Sequence, residues 1–78
     1  MKNVLIIGGA NDIGYQIAKL LKENNYNVIV GYHNNIYKKL DIEYIKIDVT
    51  NEESINKCIN YCINKYKKID ILINLANI

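Results

Sequence analysis

Apolar positions along this chain follow two rhythms. Val4-Leu5-Ile6-Ile7 is an unbroken apolar run stopped by Gly8-Gly9, and short β-branched runs bounded by glycine suit strands buried on both faces. From Ile13 the spacing changes. Ile13, Ile17, Leu20 and Leu21 recur at three and four, with Lys19, Lys22 and Glu23 facing away, which predicts an amphipathic helix. Asn24-Asn25 closes it, since Asn tolerates the left-handed conformation of a C-terminal cap. Val28-Ile29-Val30 is a second buried strand, Asn34 to Leu40 a turn or one to two helical turns, and Tyr44 to Ile47 a third strand. Thr50-Asn51-Glu52-Glu53 has the form of a capping box, the Thr50 hydroxyl and Glu53 carboxylate satisfying each other's free N–H groups. Ile55, Ile59, Ile63 and Tyr66, with Cys62 beside them, give the following helix an apolar face to about Lys67, and Ile69 to Leu75 is a fourth strand. Strands alternating with helices predict an α/β fold with a parallel sheet and right-handed crossovers.

Composition narrows the function classes. The 78 residues make one domain at most, half apolar and 23% charged, a globular balance. Ten lysines, no arginine and eight acids leave a net charge of +2, too small and scattered for a nucleic-acid footprint. No run approaches the ~20 apolar residues that span a bilayer, and the opening residues lack the form of a secretory signal. Cys58 and Cys62 read as small apolar helix residues of a reducing cytoplasm, and with His33 the only histidine no metal site is expected. Asn, Ile, Lys and Tyr together make 46 of the 78 residues, a coding bias and not a functional signature.

The chemistry-bearing stretch is Gly8-Gly9-Ala10-Asn11-Asp12-Ile13-Gly14, where the first strand hands over to the first helix. Free backbone N–H groups and the positive end of a helix dipole converge there, which suits a phosphate. Gly8 makes the turn, and Gly14 lets the helix pack closely on the sheet. A merely structural turn is the competing reading.

This stretch resembles the first turn of the short-chain dehydrogenases/reductases, Thr-Gly-x-x-x-Gly-x-Gly. Gly8, Ile13 and Gly14 match, while Ile7 replaces the Thr and Asp12 the middle glycine. Asp12 would repel a pyrophosphate unless it turns outward to cap the helix. Asp48-Val49-Thr50 resembles the segment after the family's third strand, whose Asp meets the adenine amino group. Lys68 to Asn77 resembles the fourth strand running into Asn-Asn-Ala-Gly, with Asn74 and Ala76 matching and Leu75 and Asn77 departing. Tyr26 to Val30 fits the second strand, so the likeness covers the chain.

The resemblance implies a Rossmann-like sheet in the order 3-2-1-4, half of a doubly wound fold. It also implies hydride transfer between NAD(P)H and a carbonyl or alcohol, with backbone contacts from Asn11, Asp12 and Ile13. Asp48 and Val49 would border adenine, Tyr32 and His33 the adenosine ribose, and Asn74 and Ala76 the nicotinamide ribose. The second strand runs into Gly31-Tyr32-His33-Asn34-Asn35 without the acid that binds a ribose 2′-hydroxyl, which favours NADP over NAD. The family's Ser and Tyr-x-x-x-Lys pair lie beyond its fourth strand, so residues 1–78 read as a single cofactor-binding domain truncated there, with no catalytic residue and no turnover expected. Tyr15…Lys19 and Tyr61…Lys65 have the string but not the position, and about one such match arises by chance. The open fourth strand, with Ile71, Leu72, Ile73 and Leu75, invites self-association. A non-catalytic nucleotide-binding module and a plain α/β interaction domain are the alternatives.

Overall fold

The computed structural model describes residues 1–76; Asn77 lies outside the described residues. Six elements follow one another: β1 (Asn3–Ile7), α1 (Asp12–Glu23), β2 (Asn27–Tyr32), β3 (Glu43–Lys46), α2 (Glu52–Tyr66) and β4 (Ile71–Asn74). The four strands form one parallel sheet in the order β3-β2-β1-β4, as expected. Val4 stands opposite Val28 on one side and Ile71 on the other, which puts β1 at the centre.

Because side chains alternate along a strand, β1 feeds two cores. Val4 and Ile6 pack with Val28, Val30 and Ala18 on the α1 face. Leu5 and Ile7 pack with Ile29, Ile47, Cys58 and Cys62 on the α2 face. Burial explains the chemistry of the thiols: it pushes Cys58 up, and it takes Cys62 to about 11 with help from the neighbouring sulfur and Glu43. Both are protonated packing groups at neutral pH.

Several local expectations are corrected. Ile13 and Leu20 were expected on the buried stripe of α1 but are 67% and 62% exposed. The helix meets the sheet through Gly14 and Ala18, small residues that bring its axis close, and this turns Ile13 and Leu20 outward. On α2 the buried line runs through Cys58 and Cys62, and Ile63, about 100° further round, is 44% exposed. No helix forms between residues 34 and 40. The backbone there bonds elsewhere instead, Tyr37 N–H to the Ala10 carbonyl at 2.7 Å and Leu40 N–H to the side-chain hydroxyl of Tyr44 at 2.9 Å. The third strand begins one residue early, at Glu43, and the fourth is confined to Ile71–Asn74.

Both helix caps fall on asparagine. Asn11, not Asp12, caps α1, its Oδ1 accepting from Gly14 N–H at 2.8 Å. Asn51, not Thr50, caps α2, accepting from the N–H groups of Glu53 and Ser54. Asn25 has the expected left-handed backbone, with φ of 67°, behind the end of α1.

Candidate functional site

The corner after β1 is built by backbone. Gly8 turns with φ of +78°, and its N–H donates to the Gly31 carbonyl at 2.9 Å. A Cβ there would lie 2.6 Å from the Ala76 nitrogen, so a side chain would push the segment after β4 away. Gly14 sits on the Gly9 carbonyl with no room for a methyl group, which sets how closely α1 enters the corner. Asn11 then satisfies only the third amide of the helix. The first helical amides have no acceptor within the helix, so those of Asp12 and Ile13 are free to meet a ligand, at the positive end of the helix dipole.

Around this corner lies a cleft of about 410 Å³. Gly8 and Asn11 form one wall, Gly31 and His33 the end of β2, Ile47 to Thr50 the floor after β3, and Leu75 and Ala76 the side of β4. A second cleft, of about 330 Å³, shares Gly8, Asn11 and His33 and adds Tyr32, Asn34, Asn35 and Tyr37. A groove of about 430 Å³ between β3 and α2, past Lys46, Ser54 and Tyr61, shares no lining residue with the main cleft, and its Asn51, Glu53, Ser54 and Lys57 are engaged in the α2 cap and a surface ion pair. The geometry therefore singles out the C-terminal ends of the strands, where parallel sheets hold ligands.

Asp48 is held in place before any ligand arrives. Its Oδ1 accepts from the Thr50 hydroxyl at 2.6 Å and the Thr50 N–H at 3.0 Å, while its own N–H donates to Ser54 Oγ at 2.9 Å. The Thr50 bonds outweigh desolvation and keep the carboxyl below the usual range, with His33 adding a smaller pull. Asp48 is an ionised acceptor on the cleft floor, oriented by the turn into α2.

Of the residues singled out by sequence, Gly8, Asn11, His33, Asp48, Val49 and Ala76 line the main cleft, and Tyr32 the adjoining one. Gly14 lies buried behind the turn, and Asp12 and Ile13 are exposed and line neither cleft. Asn74 is not among the lining residues. Its Oδ1 accepts from Ala76 N–H at 3.0 Å and so shapes the segment facing Gly8. Sequence reasoning passed over Gly31, Thr50 and Tyr37 as site residues. An Asp-x-Thr turn just before a capped helix was the available signal for Thr50.

A sequence profile of the short chain dehydrogenase family matches residues 2–78. The chain belongs to that family. Solved structures agree: ligand-free aldohexose dehydrogenase of Thermoplasma acidophilum superposes with a TM-score of 0.89 at 27% identity, covering 99% of this chain and 30% of that one. A short-chain dehydrogenase of Leptospira borgpetersenii serovar Hardjo-bovis with bound NAD+ gives 0.81 at 34%, covering 99% and 32%. ElxO with NADP bound gives 0.85 at 33%, covering 99% and 35%. The chain thus spans about a third of the length of the structures it matches. No curated protein matches it in sequence. Among the described residues, no helix of this short-chain dehydrogenase member is long and apolar enough to cross a membrane.

The two Tyr-x-x-x-Lys strings stand away from the main cleft. The Tyr15 ring meets Tyr37 edge-on at 6.0 Å, with Lys38 over its face. Tyr61 and Lys65 both bond Glu43 at the start of β3, the opposite end of the sheet.

Proposed function

We propose that residues 1–78 form the dinucleotide-binding part of a short-chain dehydrogenase that moves a hydride between NAD(P)H and a carbonyl or alcohol. One observation carries this reading: the Gly8–Gly14 turn sets the start of α1, whose first amides have no acceptor within the helix, beside a cleft lined by an oriented, ionised Asp48. The free amides and the glycine that no side chain can replace fit a pyrophosphate. Asn11, Asp12 and Ile13 would hold it through backbone. Asp48 and Val49 would border the adenine, Tyr32 and His33 the adenosine ribose, and Asn74 and Ala76 the ribose next to the nicotinamide. When bound, the cofactor supplies or accepts the hydride. This chain's contribution is to bind and orient it.

NADP is the better fit of the two. The end of β2 offers Gly31, Tyr32, His33, Asn34 and Asn35 and no acid to claim a 2′-hydroxyl or repel a 2′-phosphate.

Titration with NADP and NAD, followed by calorimetry and tyrosine fluorescence, tests the reading. Saturable binding is expected. Asp12→Asn, which removes a negative charge beside the corner at an exposed position, is expected to tighten binding by about threefold to tenfold. Gly14→Val is expected to abolish it. Failure of both dinucleotides to bind a folded chain at millimolar concentration would overturn the proposal.

A further inference from the structure

β4 turns only half of its backbone toward β1. Leu75 N–H donates to the Ile7 carbonyl at 2.8 Å, and in the ladder that pairs Ile6 with Ile73 the main chains of Ile71 and Ile73 face β1 as well. Alternation then points the N–H and C=O groups of Leu72 and Asn74 out of the sheet. Leu72 is level with Leu5, so its exposed side chain stands on the α2 face.

Positive charge is kept off this side. The lysines within the helices are Lys19 and Lys22 on α1 and Lys57 and Lys65 on α2. They fall within about 40° of Tyr15 and Tyr61, on the flanks turned toward β3. Ile13, Leu20 and Ile63 are exposed on the opposite flanks. Two copies of a chain of net charge +2 therefore repel least when they approach through β4.

We infer that β4 pairs with β4 of a second copy, antiparallel about a two-fold axis at Leu72, so that two sheets become one. The inference is independent of the dinucleotide reading. Charge sets the direction. Lys67 and Lys68 precede β4, and residues Ile71 to Ala76 carry none. Parallel pairing in register would set each lysine against its own copy, whereas antiparallel pairing parts them to opposite ends.

The outward main-chain groups set the register. Leu72 against its own counterpart brings leucine to leucine on the α2 face, Ile71 to Ile73 on the α1 face, and Asp70 to Asn74. Asn74 Oδ1 already accepts from Ala76 N–H, which leaves its NH2 to donate to that carboxylate. A shift of two residues either way sets Leu72 against Asn74 or Asp70 and loses these matches. Ile63 widens the apolar contact on the α2 face. At the far edges, Glu43 with its bonds from Tyr61, Tyr66 and Lys65 deters further strands, so the association closes at two copies.

Amide hydrogen exchange of the unmodified chain at about 20 μM and about 1 mM, with sedimentation equilibrium for the mass, tests this. A dimer is expected at the higher concentration. The Leu72 amide should exchange at least about tenfold more slowly there, and the Ile73 amide, bonded to β1 throughout, should change far less. Cross-linking reads the direction. Cys58 and Cys62 are buried, so Leu72→Cys supplies the accessible thiol. A short bis-maleimide is expected to link it to its copy, whose Cα would lie about 5.5 Å away. Lys68→Cys should stay unlinked, because antiparallel strands hold the two positions roughly 26 Å apart, eight residues at about 3.3 Å each. A chain that stays monomeric at about 1 mM overturns the inference and leaves this edge to a strand of another sequence. So does a dimer with an unprotected Leu72 amide, or one in which Lys68→Cys is linked or Leu72→Cys is not.

Discussion

At the β3 edge of the sheet, Glu43 receives hydrogen bonds from the Tyr61 and Tyr66 hydroxyls and from Lys65 at 3.0 Å. At the β4 edge, Leu72 is 55% exposed and nothing among the described residues pairs with the outer side of Ile71–Asn74. The helices repeat the contrast. The flank of α2 carrying Tyr61 and Lys65 turns toward β3, and Ile63, about 200° round from Tyr61, is left open on the other flank. On α1, Tyr15 meets Tyr37 in the segment between β2 and β3, while Ile13, again about 200° away, is bare. One edge is finished with charge and hydroxyls that deter a further strand. The other presents apolar groups and free backbone, which invite one. The difference teaches that the two edges are distinguished by charge and backbone pairing; exposed rings occur on the β3 side as well, at Tyr37 and Tyr61.

The contrast can be broken at several points. Glu43→Ala removes the acceptor of three donors at a half-buried position and is expected to lower stability by about 1–2 kcal/mol in urea unfolding; no measurable loss would mean the β3 edge is not braced. Acid should weaken this edge and the foot of β4. Burial alone would raise the Glu43 carboxyl, but its bonds from Tyr61, Tyr66 and Lys65 bring it below the ordinary range. Asp70, at the foot of β4, is lowered chiefly by the Asn3 N–H at 2.7 Å. Both carboxyls are depressed on folding, so their contribution is complete above the unfolded values near about 4 and is lost as pH falls through the folded ones. Glu43→Gln should flatten that acid slope.

At the opposite edge, Leu72→Lys is expected to change stability by less than about 0.5 kcal/mol. It should instead suppress concentration-dependent association in sedimentation equilibrium, which the unmodified chain is expected to show. Equal association in both chains would remove β4 as the contact. The smallest effect belongs to Lys57→Ala, which breaks an exposed 3.4 Å pair with Glu53 and should cost about 0.3 kcal/mol in the same urea experiment.

The strand order and the placement of the glycine corner were legible because they follow from the type and sequence of elements, each marked by several residues. Finer features depended on competition that a single residue does not reveal. Asn11 lies beside Asp12 and Asn51 beside Thr50, all able to cap; which one does so is settled by where the chain enters the helix. The exposure of Ile13, Leu20 and Ile63 could not be read from periodicity. It depends on the small residues Gly14, Ala18, Cys58 and Cys62 setting which line of each helix meets the sheet. Residues 34–40 have helix-compatible spacing, but the Tyr37 amide finds the Ala10 carbonyl, distant along the chain and near in space, and the Leu40 amide the hydroxyl of Tyr44 four residues on. Gly31 reads as an ordinary strand residue, and only the folded sheet puts it beneath Gly8.

Asn3 occupies the foot of the central strand. Its side-chain NH2 donates to the carbonyls of Tyr66 and Lys68, its Oδ1 accepts from Asn27, and its main-chain N–H reaches Asp70. A single amide thus knots the third residue of the chain to both the neighbouring hairpin-free strand and a stretch more than sixty positions downstream. Shortening the polypeptide to end ahead of Tyr66 would leave every glycine of the corner in place, yet remove the β4 pairing and three of the Asn3 bonds that hold the strand carrying them. Such a peptide should melt gradually, where the longer chain is expected to melt as one unit.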